Sequence, residues 1–287
     1  MTNHYQNTDT TLSTLGIIAG RGLLPLEIAK FYTQQNGNCC IAAINNEVDV
    51  KFDPQLPYRE FAIGSVGAVI DYFKQFGVKN IIFAGGVRRP NLLTIKADLI
   101  GAKLLSKILA NKFLGDDSIL RVVADFFEHY GFTVVSVQDI YANITNVTTE
   151  NNALTTLIPS AQNLIDIEFG KKVAIALGAL DVGQSVIVED GYVLGIEAAE
   201  GTDNLIIRCA SLRKKKTGAI LIKMLKQNQD MRLDLPTIGP DTIKLLSNYK
   251  YSGLAIDHKT IIIDHKTTIE LANNCGIFIS TIDLLNV

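Results

Sequence analysis

Two short apolar runs, Leu15-Gly-Ile-Ile-Ala19 and Asn80-Ile-Ile-Phe-Ala84, each empty into a glycine loop: Gly20-Arg21-Gly22 after the first, Gly85-Gly86 after the second. About five consecutive β-prone apolar residues read as a strand buried on both faces, which a parallel sheet covered by helices requires. Helical spacing follows the first loop through Leu26, Ile28, Ala29 and Tyr32 until Asn36-Gly37. A second helix is expected over 66–76, closed by Gly77, and further strands over 39–44, 61–64 and 133–137. This alternation predicts an α/β fold of two mixed α/β domains, the N-terminal one an open Rossmann-like sheet. Two glycine-bearing strand ends in one open sheet make a ligand crevice. Gly20, Arg21, Gly22, Gly85, Gly86 and Arg88 are therefore candidate ligand-binding residues, the glycines for close backbone approach to an anion and the arginines for its oxygens.

The remainder of the chain argues for a second domain. A length of 287 residues suits two units. Residues 1–14 are polar, with neither a basic start nor an apolar core, and read as an unfolded extension rather than a secretion signal. The first domain spans 15–140. The Asn- and Thr-rich stretch 141–162 reads as a linker, and 163–287 as the second domain. In that second half, Asp190-Gly191 between β-rich runs is a hairpin signal. Helices are expected over 167–180, 204–212 with Thr202 or Asp203 as cap, 242–246 with Asp241 as cap, and 267–274.

Net charge is -2, so no field of one sign points to nucleic acid. Four cysteines lack metal or disulfide spacing, which suits a reducing, cytoplasmic setting. No run of about 18 apolar residues predicts a spanning helix. Gly20-Arg21-Gly22 runs directly into Leu23-Leu24-Pro25, so the third glycine of a dinucleotide fingerprint is absent.

Acidic residues concentrate in two short segments of the second half. Glu197, Glu200, Asp203, Asp230 and Asp234 flank one strand that carries Lys223. Oxygen ligands of this kind suit Mg²⁺, which uses one or two carboxylates and the phosphates of a substrate. Asp234 lies between leucines and just before Leu235-Pro236, in a stiffened apolar turn where a carboxylate is paired, metal-bound or used.

Six motifs occur in one order: Leu15-Gly-Ile-Ile-Ala-Gly-Arg-Gly-Leu-Leu-Pro25, Phe83-Ala-Gly-Gly-Val-Arg-Arg-Pro90, Gly115-Asp-Asp117, Leu180-Asp-Val-Gly-Gln-Ser185, Glu197-Ala-Ala-Glu-Gly-Thr-Asp203 and Asp234-Leu-Pro-Thr-Ile-Gly239. Taken together, the chain closely resembles the LpxI type of UDP-2,3-diacylglucosamine pyrophosphatase. That resemblance implies Mg²⁺-dependent hydrolysis of UDP-2,3-diacylglucosamine to UMP and 2,3-diacylglucosamine 1-phosphate (lipid X), a cytoplasmic step of lipid A biosynthesis. It implies a UDP-binding first domain and a second domain for the acylated sugar phosphate, closing before reaction, with an apolar groove for the acyl chains in 163–287.

The essential aspartate of the family falls on Asp234, as catalytic residue and metal ligand. Glu200 and Asp203 are further candidate metal ligands, and Gln184, Gly201, Thr202, Lys223 and Thr237 are candidate substrate-binding residues. After Lys223 the family usually has another lysine followed by proline, where this chain reads Lys226-Gln-Asn-Gln-Asp230. A homodimer and peripheral contact with the inner membrane are the expected associations. The rival readings are a nicotinamide-dependent oxidoreductase, with Glu47 on the ribose, and a non-catalytic sensor of sugar nucleotides or lipids.

Overall fold

The computed structural model describes residues 13–110, 116–140, 152–214, 218–226, 229–233 and 235–282. Two compact units divide the chain: Met1–Lys112 with Val122–Ile140, and Phe113–Arg121 with Tyr141–Val287. The first unit holds β1 (Leu15–Ala19), α1 (Leu24–Gln34), β2 (Cys39–Ile44), β3 (Tyr58–Phe61), α2 (Val66–Gln75), β4 (Asn80–Ala84), α3 (Leu99–Ala110), most of α4 (Asp116–His129), β5 (Thr133–Val134) and α5 (Val137–Ile140). The second holds α6 (Ala161–Ala179), β6 (Ser185–Glu189), β7 (Tyr192–Ile196), α7 (Gly201–Ala210), β8 (Ile220–Lys223), β9 (Thr237–Ile238), α8 (Pro240–Asn248), β10 (Gly253–Asp257), β11 (Ile261–Ile262), α9 (His265–Cys275) and β12 (Phe278–Ile282).

Among the described residues, the first unit is a parallel sheet in the order β3-β2-β1-β4-β5. The order runs outward from β1 to β3 and then restarts on the other side of β1, so the loops after β1 and β4 face each other at a topological switch point. Leu15, Ile17, Cys40, Ile41, Ile81 and Ile82 are fully buried, as expected of central strands covered on both faces. The third strand lies at Tyr58–Phe61, slightly earlier than expected. As an edge strand with three exposed residues, it lacks the apolar run that marks its neighbours.

The second sheet is mixed, in the order β12-β10-β8-β6-β7. β8, β10 and β12 are parallel, whereas β6 runs against both β8 and β7. Side chains alternate in the expected period of two. Val186, Val188, Ile220 and Ile222 point to one face and pack with Ile167 and Ala174 of α6. Ile187, Leu221, Leu254 and Ile256 point to the other, against Leu205 of α7, Ile243 of α8 and Ala272 of α9. Gly170 lets α6 lie close on this sheet, because a Cβ there would stand 2.6 Å from Ile222 Cδ1.

Several boundaries in the second half differ from the sequence reading. The helix α6 begins at Ala161 because Ser160 and Asn163 form a reciprocal capping box, an N-terminal signal that uses Asn in place of the usual Glu or Gln. Just upstream, residues within the expected linker pair with the edge of the sheet: Leu154 N donates to the Ile279 carbonyl at 2.9 Å, and Thr281 N to Asn152 at 2.7 Å. Neither Thr202 nor Asp203 caps α7, which starts at Gly201, and α8 starts at Pro240, before Asp241. Proline suits a first helical turn because its missing N–H has no partner to lose there. No helix among the described residues is long and apolar enough to cross a membrane.

The two glycines after β4 differ in what they tolerate. Gly85 has φ +84 and its missing Cβ would lie 2.5 Å from the Arg21 carbonyl, while Gly86 has open space. Gly85→Ala should lower unfolding stability by roughly 1–3 kcal/mol. Gly86→Ala should stay within about 0.5 kcal/mol of wild type in the same urea titrations.

Candidate functional site

In the first unit, the two glycine loops are bonded to one another. Gly20 N donates to the Ala84 carbonyl at 2.8 Å, Arg21 N to Gly86 O at 2.8 Å, and Gly86 N to Arg21 O at 3.0 Å. A Cβ on Gly20 would run into the Gly86 carbonyl, so these glycines serve the mutual approach of the loops. Gly22 N is taken by the Asp49 carboxylate at 2.8 Å. The N–H groups of Gly20, Arg21, Gly22 and Gly86 are therefore satisfied within the protein, and the side chains carry the positive charge of this strand end.

Those side chains converge on Glu47, which follows β2 and is 8% exposed. Arg21 Nη2 donates to Oε2 at 2.9 Å, Arg88 Nε to Oε1 at 3.0 Å, and Arg88 N to Oε2 at 3.2 Å. Burial pushes the Glu47 carboxyl up, but the bonds from Arg88 and the charges of both arginines outweigh it and hold the carboxyl below its ordinary value. Both oxygens are occupied, so Glu47 does not stand ready for a ribose hydroxyl as the oxidoreductase reading requires. Arg21 Nε is buried with no hydrogen-bond partner among the described residues.

In the second unit, three motif positions, Ser185, Glu197 and Thr202, meet Lys223 around one hydroxyl. Antiparallel pairing of β6 with β8 sets Ser185 opposite Lys223, and the turn after β7 brings Glu197 and Thr202 to the same strand ends. Thr202 Oγ1 donates to Glu197 Oε1 at 2.7 Å. Lys223 Nζ donates to Thr202 Oγ1 at 3.2 Å, and Ser185 Oγ lies 3.3 Å from it. Gln184 N donates to Glu197 Oε2 at 3.4 Å. Glu197 and Lys223 are each 8% exposed, and Ser185 is fully buried. The side-chain Oε1 of Gln184 is buried without a partner among the described residues. Ile256 of β10 is paired with Lys223, and β10 ends one residue further on at the fully buried Asp257, whose Oδ1 accepts from Lys259 N at 2.9 Å.

The other candidates lie as follows. Gly201 takes φ +80 at the start of α7. Thr237 donates its hydroxyl to the Leu235 carbonyl at 3.0 Å, and β9, which it begins, is paired with β11. Glu200 is bound by Arg208 through Nη2 at 2.5 Å and Nε at 3.1 Å, and this pairing holds its carboxyl below the usual range. Asp203 is exposed, and Asp230 is paired with Arg232 at 2.8 Å. Asp234 lies outside the described residues. Among those described, no group of three or more His, Cys, Asp or Glu is placed to hold a metal ion. Both carboxylate oxygens of Glu200 accept from Arg208.

Sequence reasoning left Ser185 without a role, used Glu197 only as one acid among five, and gave Lys226 little weight. Lys226 Nζ in fact joins Asp117 at 3.2 Å and Asp181 at 2.7 Å, aspartates of two separate motifs. An apolar strand ending in a polar residue marks Lys223 and Asp257, but only the pairing of β6 with β8 reveals which residues share that end.

Two α/β units, one with arginines clustered at a parallel switch point and the other with a polar strand-end network, define a ligand-binding α/β protein. Family models described as the LpxI N-terminal domain and the LpxI C-terminal domain match residues 14–144 and 150–280. The UDP-2,3-diacylglucosamine pyrophosphatase LpxI of Caulobacter vibrioides is 30% identical over 276 residues, covering 94% of this chain and 97% of that protein. The chain belongs to the LpxI family.

The arginine–carboxylate cluster fixes a pH dependence. A carboxyl held below its unfolded value contributes stability above that value and loses it as pH falls through the folded pKa. Glu47→Gln should therefore unfold at a lower temperature than wild type at pH 7. The gap should close as pH drops below the ordinary carboxylate value of 4.5, in paired calorimetric scans.

Proposed function

We propose that this protein hydrolyses the diphosphate of UDP-2,3-diacylglucosamine, releasing UMP and 2,3-diacylglucosamine 1-phosphate, as a step of lipid A biosynthesis. Membership of the LpxI family and likeness to a pyrophosphatase of that name along nearly the whole chain support the substrate. The observation that carries the chemistry is Lys223: a nearly buried ammonium, held by Thr202 and Glu197, at a strand end lined by motif residues. A fixed cation of this kind stabilises the charge that develops on phosphoryl oxygens as the anhydride breaks. Gln184, whose Oε1 has no partner among the described residues, directly precedes Ser185, and Gly201, with its positive φ, directly precedes Thr202; both are assigned to the sugar-phosphate end of the substrate.

The first unit is assigned the uridine diphosphate part. Arg21 and Arg88 are its anion-binding groups, and the bonded loops of Gly20, Gly22, Gly85 and Gly86 set their positions. Mg²⁺ belongs to the proposal with Asp234 as the ligand and catalytic carboxylate; when bound, the ion neutralises the diphosphate and activates water. One carboxylate completed by waters and phosphate oxygens is an ordinary Mg²⁺ environment, so the absence of a carboxylate cluster among the described residues is compatible with it. The residues described act by binding and orienting the anhydride. A substrate carrying acyl chains brings the protein to the inner membrane surface, and a homodimer is the proposed assembly.

Turnover tests the reading. Wild type should release UMP from UDP-2,3-diacylglucosamine in the presence of Mg²⁺ and stop on chelation. Asp234→Ala should bind the same substrate without releasing UMP. Lys223→Ala should lower kcat/KM by roughly 10- to 150-fold, as loss of a hydrogen bond to a charged group does. Undiminished turnover in Asp234→Ala contradicts the assignment.

A further inference from the structure

Thr202 has one hydroxyl proton and three polar neighbours, which determines the direction of every bond around it. Glu197 Oε1, at 2.7 Å, is a carboxylate oxygen and takes the proton. Lys223 Nζ can only donate, so its 3.2 Å contact uses a lone pair of Thr202. Ser185, at 3.3 Å, is then a donor as well. The hydroxyl oxygen is filled: one bond given and two received.

Glu197 is itself fastened on both sides. Its backbone N–H donates to the Ser185 carbonyl at 2.9 Å, and Oε2 accepts from Gln184 N at 3.4 Å. Gly183 packs against its main chain so closely that a Cβ at 183 would run into the Glu197 carbonyl. A carboxylate that is nearly buried, with both oxygens committed to neighbours, is built to hold a direction rather than to exchange ligands.

We propose that Glu197 is a positioning residue for the phosphoanhydride hydrolysis. By taking the Thr202 proton, it turns the lone pairs of that hydroxyl toward Lys223. The ammonium is thereby fixed at the end of β8, and its remaining protons, which have no partner among the described residues, are directed to a phosphoryl oxygen. Glu197 touches no reacting atom and acts only through Thr202 and Lys223. The proposal rests on the pyrophosphatase reading given above, with Lys223 as a phosphate-binding group. Without Glu197 the Thr202 proton is free to turn toward the ammonium, whose bond to Thr202 is then lost.

The test is a double-mutant cycle on the full-length enzyme, with UDP-2,3-diacylglucosamine as substrate and kcat and KM measured separately. Glu197→Ala should lower kcat on the order of 10²-fold, the scale of a misplaced catalytic group, while KM moves by no more than about threefold. Glu197→Gln keeps an acceptor oxygen in place and should recover most of that loss. Combining Glu197→Ala with Thr202→Val should cost no more than the worse single change, because both break the same chain of contacts.

Additive losses, or an unchanged kcat in Glu197→Ala, overturn the proposal. Should Glu197→Ala fail to fold, Glu197→Met, which keeps the bulk of the side chain and lacks the acceptor oxygen, takes its place in the cycle with Thr202→Val under the same criterion of additivity. A wild-type protein that releases no UMP overturns the parent reading and this one with it. Wild-type turnover with additive losses overturns this one alone.

Discussion

The antiparallel pairing of β6 with β8 organises the second unit. In an all-parallel sheet the start of one strand never lies beside the end of the next, but this reversal sets Ser185, the first residue of β6, against Lys223, the last residue of β8. The β6–β7 hairpin then returns the chain to the same edge and delivers Glu197 and Thr202. Three separate segments, at Ser185, at Glu197 with Thr202, and at Lys223, thus supply one hydrogen-bond network around a single hydroxyl. The helices on both faces keep that sheet rigid, because the strand interiors are buried on either side.

Placing a lysine at such an edge has a cost and a use. An ammonium removed from water is destabilised unless it is bonded and compensated by charge. Thr202 supplies the bond and Glu197, one atom further on, the charge. The same arrangement preorganises the cation, so no solvent must reorient when negative charge builds on a phosphate. In the first unit, Glu47 plays a related part for Arg21 and Arg88, tying two guanidinium groups to one carboxylate where the strand order reverses.

What the sequence made legible follows from range. The strands at Leu15–Ala19 and Asn80–Ala84 announce themselves because central parallel strands need apolar residues at every position. The hairpin at Asp190-Gly191 rests on two adjacent residues, both with positive φ. Features that depend on distant partners were not legible. A two-residue strand such as β9 has no periodicity of its own and exists because β11 pairs with it. The spacing of the loop glycines suits close approach to an anion, but it does not show that Gly20 and Gly85 are also required by the approach of one loop to another 60 or more positions away. Glu200 was legible as an acid but not as the partner of Arg208, which lies two helical turns further along.

The central claim is that Lys223 meets the diphosphate. A crystal structure of the full-length protein soaked or co-crystallised with UDP-2,3-diacylglucosamine tests it directly. The account predicts a phosphoryl oxygen within hydrogen-bonding distance of Lys223 Nζ, with the Thr202–Glu197 bond intact. A diphosphate bound elsewhere, with Lys223 contacting only protein, would contradict it.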